Sequence, residues 1–301
     1  MQLVANGLRI EVDDQGPVGG DPLLLIMGLG MQLTAWPQAL VDLLVARGFR
    51  VIRMDNRDAG LSQGFDDAGT PNLAWAGLKY GLHLPLRSVY SLTEMAADSV
   101  GVLDALGLAR AHVCGASMGG MIAQHLAAAY PQRVKSLTLM MTTTGARHLP
   151  QPGLRVRAAL LSRPDGSQPE AVVAHLQRLL AVIGSPGFPP DPATQHQRLR
   201  AMVARAWRPA GTARQLLAVA ADGDRTSLVT CLSMPCAVIH GEVDPLVPPA
   251  AGRDLARRIP GALADFIPGM GHDLPDVLLP RFAATLAENA ARASHATGVS
   301  S

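Results

Sequence analysis

Three residues carry the chemistry available to this sequence: Ser117, Asp244 and His272. Ser117 sits at the centre of Gly115-Ala116-Ser117-Met118-Gly119. A serine hydroxyl is a poor nucleophile at neutral pH, so it needs a base, and the base needs an acid to orient it. As a bare motif, G-x-S-x-G is weak. The sequence around it gives it weight. His112 to Cys114 reads as a buried strand end. Met121, Ile122, His125, Leu126 and Ala129 then recur at helical spacing until Pro131 stops the helix. A serine on a tight strand-to-helix turn occupies a strained backbone conformation. It also forces close approaches that only glycine tolerates two residues to either side. Such a turn lifts the hydroxyl to a helix N-terminus, where a developing anion is favoured.

The partners follow by position. Asp244 lies just past the apolar run Cys236 to Ile239, and His272 just past Leu263 to Ile267. Both fall beyond the carboxyl ends of strands, where open parallel sheets build their sites. Glu242 shares a loop with Asp244, but the Asp-Pro after a turn favours Asp244. Among the nine histidines, His125, His175 and His196 fall on helices, His295 in the tail, His83 in a loop, and His148 at the start of an insertion. His240 precedes the acid and reads as structural. Asp273 and Asp276 adjoin His272 and read as helix caps. A tetrahedral intermediate needs two backbone donors. Met118 supplies one, and the loop after Met27 supplies the other, with Leu29 first and Gly30 next. Gly28, Gly30, Met31, Met121 and Met141 are the expected pocket lining, with Met140 beside them.

The elements that position these residues alternate. Strands are expected near residues 2–13 (a hairpin around Asn6-Gly7), Pro22 to Met27, Arg50 to Met54, at the elbow, and from Val134 to Met141. Helices are expected near 36–46, from the capping box Ser91–Glu94 to Leu106, and after the elbow. This argues an α/β class with a mostly parallel central sheet flanked by helices. From 142 to 233 the strands cease. A second capping box is expected at Ser167–Glu170. The stripe Val172, Leu176, Leu179, Leu180, Ile183 follows, then a stiff breaker and Asp191-Pro192 as a helix start. A second stripe comprises Leu199, Met202 and Val203, and a last helix is expected near 212–221. The expected division is core 1–141, helical lid 142–233, core 234–293 with its last helix near 276–291, and a frayed tail 294–301. The lid's stripes are expected to face the upper rim of the sheet.

Composition excludes several classes. Apolar residues make up 48% and charged residues 17%, so a large core is available and disorder is not expected. The net charge of +2 comes without a basic run, which argues against a nucleic-acid partner. Three cysteines make no disulfide framework and point to a reducing, cytoplasmic compartment. No Cys/His cluster has zinc spacing, so no metal site is expected. No secretory leader and no membrane span is read from the sequence.

The chain resembles the α/β-hydrolase superfamily across nearly its whole length. The residues carrying the resemblance are Met27–Met31 with Trp36-Pro37, Asp55–Ser62, Gly115–Gly120, His240–Pro248 and Gly269–His272. Within the superfamily it looks most like bacterial carboxylesterases and methylesterases of aromatic polyketides. The resemblance implies a Ser117–Asp244–His272 triad, in the family's chain order, and cofactor-free hydrolysis. Ser117 stands where haloalkane dehalogenases and epoxide hydrolases carry aspartate. Ala116 stands where C–C hydrolases carry asparagine. Met27 stands where many members carry histidine. Arg57 and Asp58 read as loop ties rather than substrate contacts. The expected activity is a serine ester hydrolase (a carboxylesterase) acting on neutral short- to medium-chain esters. Alternatives are a methylesterase for bulky polycyclic esters, a C–C hydrolase or perhydrolase, and a non-catalytic ligand receptor on the same scaffold.

Overall fold

Continuous apolar runs become strands buried on both faces. In β3 (Asp21–Ile26), Leu24 and Ile26 join the core on one side of the sheet, and Leu23 and Leu25 the core on the other. The structure is a computed structural model describing residues 1–297, with side chains through Ala293. The remaining strands are β1 (Gln2–Ala5), β2 (Leu8–Gln15), β4 (Phe49–Met54), β5 (Ala111–Ala116), β6 (Val134–Met140), β7 (Cys236–Gly241) and β8 (Leu263–Ile267). They form one sheet in the order β1-β2-β4-β3-β5-β6-β7-β8. β1 and β2 run antiparallel to their neighbours, and all other pairings are parallel. The Asn6-Gly7 hairpin closes with both residues at positive φ (51° and 76°), as a two-residue primed turn requires.

Helices cover both faces. α1 (Gln38–Val45) and α11 (Leu279–Thr297) lie on one side; α3 (Leu92–Ala105), α4 (Met118–Ala129) and α10 (Pro249–Arg258) lie on the other. α3 opens with the expected reciprocal capping box at Ser91 and Glu94. The insertion holds α5 (Leu154–Leu161), α6 (Pro169–Ile183), α7 (Pro192–Arg205), α8 (Pro209–Asp222) and α9 (Thr226–Thr230). A short α2 (Leu73–Gly81) lies in the long β4–α3 excursion. Neither α2 nor α5 was expected from periodicity. The helices have no buried residue and one, respectively, so they show little of the amphipathic pattern that reading relies on.

Three expectations need correction. Ser167 and Glu170 make no capping box. Pro169 takes the first helical position, so Gln168 is the N-cap, without a side-chain bond, and Ser167 falls one residue outside. The last helix does not begin at Asp276 or end near 291. A short 3₁₀ turn, Asp276–Leu278, precedes α11, which runs on to Thr297 through an alanine-rich stretch of high helix propensity. Residues 294–297 thus belong to α11, and 298–301, the rest of the expected frayed tail, lie outside the described residues. Finally, the stripes of α6 and α7 mainly face each other. Val172, Val173, Leu176, Leu199, Met202 and Val203 form a small core of their own, which Met31 reaches from the main domain. Among the described residues, no helix is long and apolar enough to cross a membrane.

Candidate active site

The elbow forms where β5 turns into α4. Ser117 has φ 56° and ψ −121°, a strained conformation for a residue with a side chain. A Cβ on Gly119 would lie 2.1 Å from the Ile26 carbonyl oxygen, and one on Gly115 would lie 2.2 Å from that of Gly119. No side chain fits at either place. The elbow is also tied to its surroundings. The Ser117 N–H donates to the Met140 carbonyl at 2.9 Å, and Thr142 Oγ1 donates to the Ser117 carbonyl at 2.7 Å.

The structure brings the three expected residues together although they are far apart in sequence. His272 Nε2 lies 3.0 Å from Ser117 Oγ, and His272 Nδ1 lies 2.7 Å from Asp244 Oδ2. The other Asp244 oxygen accepts the Leu246 and Val247 N–H groups at 2.9 and 2.8 Å. The carboxylate is buried and its lone pairs are engaged, so its direction is fixed. Glu242 instead pairs with Arg253 near the surface, at 3.1 Å. His240 lies 3.6 Å from Asp244 but donates through Nε2 to the Val247 carbonyl at 2.8 Å. Burial holds its pKa below the ordinary histidine value, so it is a neutral wall beside the acid.

The backbone donors separate cleanly. The Gly30 N–H is taken, donating to Gln215 Oε1 at 2.8 Å. The Leu29 and Met118 N–H groups meet no acceptor among the described residues. Met118 is the first residue of α4, where helical N–H groups are unsatisfied within the helix. Gly28 abuts the Ser117 side chain. Met118 and Met121 are buried on the α3/α4 face, and Met140 and Met141 on the other. Met31 is half-buried and joins the site's rim to the cap.

The loop Asp55–Ser62 is a tie, as read from sequence. Asp55 accepts from Leu33 and Leu61 N–H and from Arg205, and Arg57 pairs with Asp98. Asp58 pairs with Arg214. Sequence reasoning missed two contributors. Gln215 braces the Leu29–Gly30 loop from α8. Ser185 and Asp273 bond to each other, so Asp273 caps no helix. Spacing gives no signal for either, because each partner is remote in sequence. Asp276 likewise pairs with Arg198.

Comparisons with known proteins bear on the family and the fold. The model of the α/β-hydrolase fold family matches residues 21–277. Rhodomycin D methylesterase of Streptomyces sp. strain C5 is 31% identical over 277 residues, covering 84% of this chain and 85% of that protein. The protein of the same name from Streptomyces peucetius is 32% identical over 276 residues, with the same coverages. Among solved structures, an esterase from Rhodococcus sp. ECU1013 superposes with a TM-score of 0.73 at 20% identity, covering 97% of this chain and 98% of the other. The chain belongs to the α/β-hydrolase fold family.

Proposed function

We propose that this chain is a serine ester hydrolase whose nucleophile is Ser117. The observation that carries this reading is the relay from Asp244 through His272 to Ser117, at 2.7 and 3.0 Å. His272 Nε2 takes the hydroxyl proton as Ser117 Oγ attacks the ester carbonyl. The Leu29 and Met118 N–H groups receive the oxyanion. The alkoxide leaves with the proton from Nε2, and water, deprotonated by the same nitrogen, releases the acid. Asp244 holds the imidazole tautomer and offsets its charge. The helical insertion serves as the cap over the acyl-binding side. Neutral esters suit a site bordered by the apolar side chains of Leu29 and Met31. No cofactor is invoked.

A fluorophosphonate is expected to label Ser117, and Ser117→Ala is expected to abolish the labelling and to cut p-nitrophenyl butyrate turnover by about 10⁴-fold or more. Labelling that survives the substitution removes Ser117 from the mechanism.

The methylesterase relatives favour a second reading, in which the acyl part is a bulky polycyclic acid and methanol is the leaving group. Competition between a polycyclic methyl ester and p-nitrophenyl butyrate separates the two. The simple reading also expects rates to rise from acetate to butyrate and fall at palmitate, each accommodated methylene contributing about 0.8 kcal/mol. A 2-hydroxy-6-oxononadienedioate/2-hydroxy-6-oxononatrienedioate hydrolase is 29% identical, and C–C bond hydrolysis is a further chemistry that a serine triad can support. Ala116 beside the nucleophile keeps that chemistry behind ester hydrolysis.

A further inference from the structure

We propose that Ser185 and Asp273 are positioning residues for His272, through which the end of α6 holds the base in register with Ser117. The proposal rests on the reading of His272 as the general base.

The loop Gly269–Asp273 has no regular secondary structure of its own. Its place is set largely by the turn after α6. The His272 N–H donates to the Ile183 carbonyl at 2.7 Å, and the Gly187 N–H donates to the Gly269 carbonyl at 2.9 Å. The Gly271 N–H donates to Ser185 Oγ at 2.8 Å. Ser185 Oγ donates in turn to Asp273 Oδ1, and the Ser185 N–H donates to Asp273 Oδ2 at 3.2 Å. The approach is too close for any side chain at 271, where a Cβ would lie 2.3 Å from the Gly184 carbonyl oxygen.

The hydroxyl of Ser185 is the pivot. It has one hydrogen to give and must keep a lone pair for Gly271. The Asp273 carboxylate takes that hydrogen and so aims the lone pair at the backbone one residue before His272. A residue serving only as a cap would point to a helix start. The turn at Asp276 begins from Pro275 without any side-chain cap. Asp273 also faces charge. Burial raises its pKa, Ser185 offsets part of this, and His272 and Asp244 act on it electrostatically. Keeping a carboxylate here costs stability, which a purely structural tie would avoid by using an amide.

The test follows phosphonylation of Ser117 by a fluorophosphonate in the wild type, Asp273→Asn and Ser185→Ala. In that reaction the Ser117 Oγ–P bond forms, the P–F bond breaks, and the serine proton passes to His272. Both variants are expected to react between about tenfold and a hundredfold more slowly, the cost of a misplaced base. With p-nitrophenyl butyrate, kcat falls while KM stays within about twofold. Wild-type phosphonylation rates in both variants, or a loss carried by KM with kcat kept, overturn the proposal, even if their melting temperatures drop. An unreactive wild type instead overturns the assignment of Ser117 and His272 itself.

Discussion

The two ends of the helical insertion are attached to the core by different chemistry. At the α8 end the attachments are charged and buried. Arg214 grips Asp58 with two hydrogen bonds, at 2.8 and 2.7 Å, and gives a third to the Gly69 carbonyl at 2.6 Å. Tyr90 adds its hydroxyl to Asp58 at 2.7 Å. Gln215 uses both ends of its amide, one on the Gly30 N–H and one on the Arg57 carbonyl. At the α5–α7 end the packing is apolar, and polar ties to the core come only after α6, at the Ile183–Gly187 turn, in the exposed Arg198–Asp276 pair and where Arg205 reaches Asp55. α6 and α7 pack on each other, and Met31 is the main-domain side chain that reaches their cluster. Two residues of α5 lie in solvent, Leu154 at 83% exposure and Leu161 at 58%. A bidentate ion pair fixes direction as well as distance, whereas an apolar contact permits sliding at little cost. The α8 end therefore belongs to the frame that holds the Leu29–Gly30 loop. α5 and the first turns of α6 are the part least tied to the core, ahead of the ties at Ile183–Gly187, Arg198–Asp276 and Arg205–Asp55.

The largest effect is expected where this contrast is sharpest. Arg214→Ala leaves Asp58 buried and unpaired, and costs about 3–5 kcal/mol in urea unfolding. Burial alone would raise the Asp58 pKa. The bonds from Arg214 and Tyr90 outweigh it and hold the carboxyl below the ordinary range. With a depressed folded-state pKa, this contribution is complete above the unfolded value of about 3.9 and is lost as pH falls through the folded one. The wild type should shed it in acid, and Arg214→Ala should have none to shed. A variant that loses less than about 1 kcal/mol would erase the distinction between the two ends.

Next comes Gln215→Leu. It strands the buried Arg57 carbonyl and frees the Gly30 N–H, at a cost of about 1–3 kcal/mol. The loop carrying Leu29 loses its brace, so kcat should fall about tenfold with KM little changed. Unchanged kcat alongside lost stability would mean that α8 supports the fold but that its hold on the Leu29–Gly30 loop does not matter to turnover.

The legible and illegible parts of this molecule divide along the same line. The strands were readable because residues such as Leu23 to Ile26 are apolar on both faces, a local property. That Ser117, Asp244 and His272 come together was readable because strand ends and turn glycines mark their places locally. The cap's helices from Pro169 to Arg205 were readable by their stripes, but not the partner of those stripes, because periodicity shows a face and not what covers it. Arg214 sits 156 residues from Asp58, and Ser185 sits 88 from Asp273. Their bonds depend on a fold that must already be in place. α5 was missed for the opposite reason, since only Val156 is buried and the sequence there carries no strong periodic demand.

That observation sets the smallest prediction. Leu161 lies near the C-terminus of α5, is 58% exposed, and belongs to none of the apolar clusters formed by the described residues. Replacing it with glutamate removes little buried surface and strands no polar group. It does place a negative charge at a helix C-terminus, where the dipole opposes it by about 0.3–1 kcal/mol at most. Urea unfolding should therefore stay within about 0.5–1 kcal/mol of the wild type, and p-nitrophenyl butyrate turnover should be unaltered. A loss of several kcal/mol would mean that α5 packs against something that matters to the global fold. The free end of the insertion would then be as firmly held as the α8 end, and the cap would have to be treated as one rigid piece.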